Sequence, residues 1–448
     1  MMKFLISVLF TFLSTGALSQ TQYQHWQWAK SFGGSGNDYT VDMKIKNGFL
    51  YVTGTFTSPQ INWDGTILTN SGGKDIFITK LDTLGNTVWV QSFGGSGDDD
   101  VQQLEINSNG AMALRCKSAS SNLVIGHALL NSPDNFYITL GTDGNILNSI
   151  VLPVGPIYSD IDIDNENAVY ISGSYQHTFI FNGYAIDSSY GLAGAVVFKY
   201  MNALPVLYKN VQVRANQRYE MYDYDIDPYG PPPISLVVGY TPPVTGDAAA
   251  SIQIEYNESD TVLNITGNIS RNGAIDALTL VTGYYPPDYL RNFIYGLKIS
   301  QSGSVSISSN FYNPWYTFLG NYTRGFATGQ SGYTFTSSGY YTLGDYRDYS
   351  ITTEKNNRQV SSLNRGYQYN NPSSVIEPTA WYPFQTDETG NYLLCTSMPE
   401  LYPETGKRNV VVLDTTLQEI KRTFVSEINR LPLSIRAMAD THAVFFGS

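Results

Sequence analysis

The chain is 448 residues long with a formal net charge of −12, and charged residues make up only 14% of it. A diffuse acidic surface disfavours nucleic acid and anionic lipid as partners, while abundant Tyr, Thr, Ser, Asn and Gly suit exposed strands and tight turns. Beyond the first nineteen residues no apolar run approaches the roughly 20 residues that a membrane-spanning helix needs.

Met1-Met2-Lys3 is a short basic start, residues 4–13 are apolar, and Ala17-Leu18-Ser19 offers the small-x-small pattern that a signal peptidase cuts. Residues 1–19 are therefore expected to be a signal peptide, cut before Gln20. The apolar run is too short for a membrane anchor, and no Cys stands near the cut to carry a lipid. The expected destination is the periplasm, the outer membrane's periphery or the medium.

The stretch Trp28-Ala-Lys-Ser-Phe-Gly-Gly-Ser-Gly36 returns 61 residues later as Trp89-Val-Gln-Ser-Phe-Gly-Gly-Ser-Gly97. Each copy leads through an acidic turn into an alternating apolar segment. Units made of short strands and tight turns cannot bury their own apolar faces, so they must stack on further copies. Period-two alternation bounded by turn residues marks the strands. Unit one reads as 41–46, 49–56, 75–82 and 87–93, and unit two as 101–107, 111–117 and 136–140, followed by the turn Asp143-Gly144-Asn145. Unit three is 159–164, 168–175 and 195–200. Unit four is 223–227, 234–240, 251–256 and 261–265, and unit five 277–284 and 293–300. Unit six is 332–336 and 349–353, and unit seven 390–396, 410–414 and 419–424.

The ends complement each other. Residues 433–439 and 442–448 read as the first half of an eighth unit, and 23–32 as the last strand of a unit whose beginning is missing. Pairing that N-terminal strand with the C-terminal hairpin closes a ring and removes exposed sheet edges. The expectation is an all-β chain forming one β-propeller over residues 20–448. Eight blades are expected, with seven as the alternative because units five and six are degenerate. The units are too long for β-helix coils, and no useful helical period is present. Cys116 and Cys395 fall on blades that would not be neighbours, so free buried thiols are expected rather than a disulfide.

The phrases Tyr51-Val-Thr-Gly54, Lys80-Leu-Asp82, Gly85-Asn86, Trp89 and Ser92-Phe-Gly-Gly-Ser-Gly97-Asp98 resemble the SBBP-type β-propeller repeat of exported proteins from Bacteroidota-like bacteria. The resemblance is close in units one and two, partial in three, four and seven, and poor in five and six. It implies a propeller and no particular activity. Members of that family often carry a C-terminal sorting domain for type IX secretion, whereas the residues up to Ser448 read as a blade strand.

Several motifs could carry chemistry. Asp160, Asp162 and Asp164 alternate along one strand and share a face, as do Asp223, Asp225 and Asp227. Ca2+ could bind such carboxylates if neighbouring loops completed the shell, because residues two apart on a strand stand about 7 Å from each other. The plainer reading has Asp164 and Asp227 opening turns through bonds to backbone amides. Asp98, Asp99 and Asp100 allow the same two readings. The Gly-Gly-Ser-Gly loops lack the helix that a phosphate loop requires and read as turn glycines. Asp82-Thr-Leu-Gly85 with Trp89 departs in spacing from the Asp-box of sialidases. The four histidines are scattered singly and no nucleophile elbow is present, so no catalytic residue is assigned and the chain reads as non-enzymatic.

Units five to seven differ in kind. Tyr285, Tyr289, Trp315, Tyr316, Tyr341, Tyr346, Arg347 and Trp381 belong to a Pro-rich aromatic series that falls largely in loops. Tyr, Trp and Arg on loops compose a recognition surface. The reading is a protein-binding or scaffold module at the cell envelope, an accessory subunit of an outer-membrane secretion or uptake complex being one such role. The alternative is a carbohydrate-binding or carbohydrate-active propeller whose rings stack on sugars. No cofactor is expected apart from the candidate Ca2+, and no membrane insertion.

Overall fold

The computed structural model describes residues 28 and 30–213, apart from 127, 132–133 and 187–193. Beyond 213 it describes the strands given below with the turn residues 258, 261, 301–304 and 415–418. The chain is all-β, built from four-stranded antiparallel meanders. In the first, β1 (Asp38–Lys46) and β2 (Phe49–Phe56) lead through a small hairpin, β3 (Gln60–Trp63) and β4 (Thr66–Thr69), to β5 (Asp75–Leu81) and β6 (Thr87–Phe93), and the sheet order is β1-β2-β5-β6. The second repeats the plan with β7 (Asp99–Ile106), β8 (Met112–Ser118), the hairpin β9 (Ser121–Ile125) and β10 (Ala128–Asn131), then β11 (Asp134–Leu140) and β12 (Ile146–Val151). The third has β13 (Ile157–Ile163), β14 (Val169–Tyr175), the hairpin β15 (Phe179–Phe181) and β16 (Tyr184–Ile186), then β17 (Gly194–Met201) and β18 (Leu204–Val213).

The chain then departs from the expected units. A separate pair, β19 (Gln217–Tyr222) and β20 (Ser235–Thr241), precedes the fourth meander. That meander joins β21 (Ala249–Asn257) and β22 (Val262–Ile269) to β25 (Phe293–Ser300) and β26 (Val305–Phe311). The hairpin between them, β23 (Gly273–Ile275) and β24 (Leu278–Leu280), extends the outer edge of the third sheet through β18. The strands expected at 251–256 and 261–265 of unit four and at 293–300 of unit five thus share one four-stranded sheet, while 234–240 falls in the separate β19–β20 pair and 278–280 joins the third sheet. Alternation identifies a strand but not its partner, and both candidate pairings satisfy it. The fifth meander is β27 (Asn321–Thr328), β28 (Tyr333–Tyr341), β29 (Tyr346–Lys355) and β30 (Arg358–Gln368). The sixth is β31 (Gln385–Thr386), β32 (Tyr392–Thr396), β33 (Arg408–Asp414) and β34 (Glu419–Ser426). A last hairpin pairs β35 (Ser434–Ala437) with β36 (Ala443–Phe446).

The cores lie between sheets. Ile76 and Ile78 pack with Leu104, Leu114 and Ile138, Ala113 and Tyr137 with Ile161, Ile171 and Phe198, and Tyr170 and Val197 with Ile254, Leu263 and Leu297. Neighbouring residues Ala113 and Leu114 therefore serve opposite interfaces, and the second sheet is buried on both faces. First strands adjoin one another: β1 lies against β7, β7 against β13, β13 against β21, β21 against β27, β27 against β31, β31 against β35, and β35 against β1. Among the described residues no helix is long and apolar enough to cross a membrane.

The repeated Trp and its turn explain each other. In the turn from β5 to β6, Asp82 accepts from the Leu84 and Asn86 amides, and Gly85 takes a left-handed φ of 81°. Trp28 donates to the Thr83 carbonyl and covers Gly85, where an added Cβ would meet the indole at 2.9 Å. Trp89 does the same one sheet later, donating to the Thr142 carbonyl over Gly144 (φ 85°). Cys116 is a buried free thiol on β8, and Cys395 lies on β32.

Candidate functional site

The first strands carry the polar groups that face one another across sheets. Each of β1, β7, β13 and β21 has a bulge against its partner, ending at Asp42, Gln103, Asp160 and Gln253. A bulge turns a side chain out of the plain pleat, and at Asp42, Gln103 and Asp160 it aims the side chain at the next sheet. The Asp42 carboxylate accepts from its own neighbour Met43 N at 2.7 Å and from Leu104 N on β7 at 3.0 Å. Asp160 repeats the bridge, accepting from Ile161 N at 3.0 Å and from Ile254 N on β21 at 2.7 Å. Gln103 fills the position between them and donates its amide to Asp160.

Two residues further on stand Lys44, Glu105, Asp162 and Glu255. Lys44 forms an ion pair with Glu105. Asp162 accepts from Ile163 N at 2.7 Å and from Tyr256 N on β21. Bonds between residues 61 apart, Tyr39 to Asp100, Lys44 to Glu105 and Asn47 to Ser108, show that β1 and β7 run in the same direction. The sequence period has become a row of side-chain bonds.

The tight turns at the far end of these strands interlock as well. Asn47 donates to the Ser108 carbonyl, Ser108 N–H to Asn165 Oδ1 at 3.2 Å and to Glu258 Oε1 at 2.8 Å, and Asn109 to the Asn165 carbonyl. Glu258 also lies 3.9 Å from the Lys46 ammonium, so one carboxylate of the fourth sheet reaches both the first and the second. The first-strand groups are consequently engaged with one another at both tiers and at the turn end.

Burial shapes their electrostatics. Asp160 is only 6% exposed, and burial above all, with Glu105's charge second, pushes its carboxyl up to about 7 against the pull of the Ile254 amide, Gln103 and Lys44. Burial and Glu105 likewise hold Asp162 well above the ordinary carboxylate range. Asp164 is used differently. It accepts from Glu166 N and Ala168 N of its own turn and from the Tyr170 hydroxyl, with the Lys199 ammonium 3.7 Å away.

The three aspartates proposed for Ca2+ are therefore divided between two bridges to β21 and one turn, instead of converging on a point. Among the described residues no group of three His, Cys, Asp or Glu side chains could hold a metal ion. Asp223, Asp225 and Asp227 lie outside the described residues. In the second acidic run, Asp99 is buried and accepts from Gly95 N, Ser118 Oγ and Ser120 Oγ. The Lys74 ammonium stands where a cation at that rim would, 3.1 Å from Asp100 and 3.9 Å from Asp98.

Of the aromatic series, Tyr341 and Arg347 are placed directly opposite each other in the β28–β29 pair, and Tyr346 opposite Gln368. Tyr285, Tyr289, Trp315, Tyr316 and Trp381 lie outside the described residues. Sequence reading missed the bridging set Asp42, Gln103 and Asp160. Asp42 and Gln103 stand at the same spacing after Trp28 and Trp89, the signal that could have paired those two, and the third unit has no Trp ahead of Asp160 to extend the column.

No family model matches the chain, and no curated protein does. Solved structures similar to it include a Bacteroides caccae protein of unknown function (10% identity, TM-score 0.33, covering 78% of this chain and 90% of that one). They also include the Pseudomonas brassicacearum lignostilbene dioxygenase (10% identity, TM-score 0.37, covering 86% and 72%) and the polysaccharide lyase Uly1 (10% identity, TM-score 0.37, covering 94% and 88%). Likeness at this level assigns none of those activities to this chain. It does correct one expectation: structures similar to this one include enzymes, so the expectation of a non-enzymatic chain is withdrawn.

Proposed function

We propose that the chain is an exported, seven-bladed propeller of the SBBP-repeat kind that binds a protein partner of the cell envelope through one face. The observation that carries this reading is where the aromatic series falls. In a meander, alternate connections leave opposite ends of the sheet, and the bonds between β1 and β7 support parallel first strands in successive sheets. Second-to-third-strand and sheet-to-sheet connections then share one face. In chain order Tyr285 and Tyr289 fall between β22 and β25, and Trp315 and Tyr316 between β26 and β27. Tyr341, Tyr346 and Arg347 flank the β28–β29 connection, and Trp381 falls between β30 and β31. In chain order, then, all eight fall in or beside connections of those two kinds, while the other connections of the first sheets are short interlocked turns.

Among the described residues, five four-stranded sheets, the six-stranded third sheet and the hairpin β35–β36 support seven blades over eight. The contacts of β35 with both β31 and β1 support closure. Trp28 stands to Gly85 as Trp89 of β6 stands to Gly144, although residues 30–32, expected as part of a closing N-terminal strand, lie outside any strand and, among the described residues, β35 pairs with β36 alone. Rigid bridges between first strands suit a scaffold that presents loops.

The test is recovery of tagged protein from solubilised envelope, with wild type compared to a Tyr341→Ala/Tyr346→Ala/Arg347→Ala variant. A stoichiometric outer-membrane partner lost in the variant supports the reading. Recovery of the protein alone overturns it, and binding on a glycan array would then favour the carbohydrate alternative.

A further inference from the structure

We infer that Asn182–Gly183 is a site of spontaneous deamidation, where the side-chain amide is lost and an aspartyl or isoaspartyl residue takes its place. The two residues form the tip of the β15–β16 hairpin, between the paired residues Phe181 and Tyr184. Asn182 takes a φ of 50° and Gly183 a φ of 80°, the left-handed pair that such a two-residue loop favours.

Whether an Asn-Gly pair reacts depends on how free its carboxamide and its Gly nitrogen are. The sequence has such pairs at Asn47, Asn109, Asn182 and Asn272, the last lying outside the described residues. Asn47 donates its carboxamide to the Ser108 carbonyl at 3.0 Å. Asn109 donates to the Asn165 carbonyl at 3.0 Å, while the buried Gly110 donates its N–H to the Asn107 carbonyl at 3.0 Å. Asn182 and Gly183 are both exposed, and among the described residues neither the Asn182 carboxamide nor the Gly183 N–H has a hydrogen-bond partner. A Cβ added at Gly183 would meet nothing within 4 Å. Only this pair has both reacting groups free and open space around them.

The reaction needs only water. The Gly183 nitrogen gives its proton to water or hydroxide and bonds to the Asn182 side-chain carbon, unobstructed because glycine has no Cβ. The bond from that carbon to Nδ2 breaks, and Nδ2 leaves as ammonia after taking up a proton. Water then opens the five-membered imide at either carbonyl, giving aspartate or, with a further carbon in the main chain, isoaspartate. The aspartyl product fits the loop. The equivalent hairpin of the first sheet, β3–β4, carries Asp64–Gly65 at the same two places with φ 48° and 94°. The isoaspartyl product lengthens a loop that sets the hairpin's register. That register holds Phe179 and Phe181 against Phe198, with ring centroids 6.0 Å and 4.5 Å away. Isoaspartate therefore loosens the cover of the third core. The chemistry requires no partner, so the site stands or falls separately from the binding reading above.

The test is incubation of the intact protein at pH 8 with peptide mapping by mass spectrometry over time. Conversion at Asn182 should run about tenfold faster than at Asn47 or Asn109, where hydrogen bonds must break first. Asn182→Gln, whose longer side chain does not close the five-membered ring, should show none at that position. Equal rates at the three asparagines overturn the inference, and so does an unconverted Asn182. The isoaspartyl fraction is then compared with Asn182→Asp by hydrogen exchange of β15 and β16. Protection lost in the isoaspartyl fraction and kept in Asn182→Asp is expected. Equal protection in the two would overturn the loosening of the hairpin.

Discussion

The seam between the first and second sheets and the seam between the third and fourth use one device in two settings. In both, an aspartate after a bulge bridges its own next amide and the matching amide of the following sheet: Asp42 to Leu104, and Asp160 to Ile254. At the first seam the next tier holds a cation, Lys44, against Glu105. At the second seam the next tier holds another carboxylate, Asp162; Asp160 is buried and Asp162 half-buried, and both carboxyls are raised. At the second joint the bridge is therefore sensitive to pH, because burial and the like charge of Glu105 raise its carboxyls.

The largest test is truncation of each bridge. Asp160→Ala strands the buried Ile254 amide, while Gln103 keeps Glu105 as an acceptor, and should lower unfolding stability by about 3 kcal/mol at pH 5. Asp42 is half-buried where Asp160 is buried, so Asp42→Ala opens a path for water to the Leu104 amide along the vacated side chain and should cost about 1 kcal/mol. Urea midpoints at constant slope read both. Equal losses would break the distinction between the seams.

The pH dependence comes next, and its sign is unusual for an aspartate. With a folded value of about 7 and an unfolded value near 3.9, the native state holds more protons than the unfolded state between those two values. Stability from this group is then fullest below about pH 4 and is lost as pH rises through about 7. The gap between wild type and Asp160→Ala should narrow by roughly 2–4 kcal/mol between pH 5 and pH 8, following about 1.4 kcal/mol per pKa unit. A gap unchanged over this range would show that Asp160 is ionised throughout in both states. Glu105→Gln sharpens the point. Removing the like charge should lower the Asp160 value and move the midpoint of the loss down by roughly half to one pH unit, read from the same urea series.

How much of this the amino-acid sequence reveals differs by level. The strands of the first three sheets follow directly from alternation and turn chemistry, and the turn-opening aspartates Asp82 and Asp164 sit where Asx chemistry places them. The Gly-Gly-Ser-Gly loops were legible as loops, but the reason for their glycines was not. Gly95 and Gly97 take no left-handed φ. They are needed because Ser120 and the Ala119 carbonyl press within 2.8 Å and 2.5 Å of where a Cβ would stand. Such close approach depends on residues some twenty positions away, which a local pattern does not encode. The allotment of units four and five failed for a related reason, since β20 and β22 both alternate and only tertiary packing selects their partners. The bridging column escaped because its members change type, from Asp42 to Gln103 to Asp160, while keeping one role: each offers an acceptor or a donor at a bulge.

Lys44→Met is the finest probe of the comparison, because it acts on both seams with opposite consequences from Glu105→Gln. At the first seam it removes the ion pair with Glu105, a partly exposed contact that should contribute less than about 1 kcal/mol. Glu105 retains the Gln103 amide as a donor at 3.1 Å, so the loss is not that of a stranded charge. At the second seam Lys44 is one of the influences that lower the Asp160 value. Its removal should move the midpoint of the pH-dependent loss upward, where Glu105→Gln moves it downward. Opposite displacements from two variants of one ion pair require that pair to act on Asp160 through its field, across the second sheet. Displacements of the same sign would mean that each variant merely loosens the packing of β7 against β13, and the two seams would then differ in packing and not in charge.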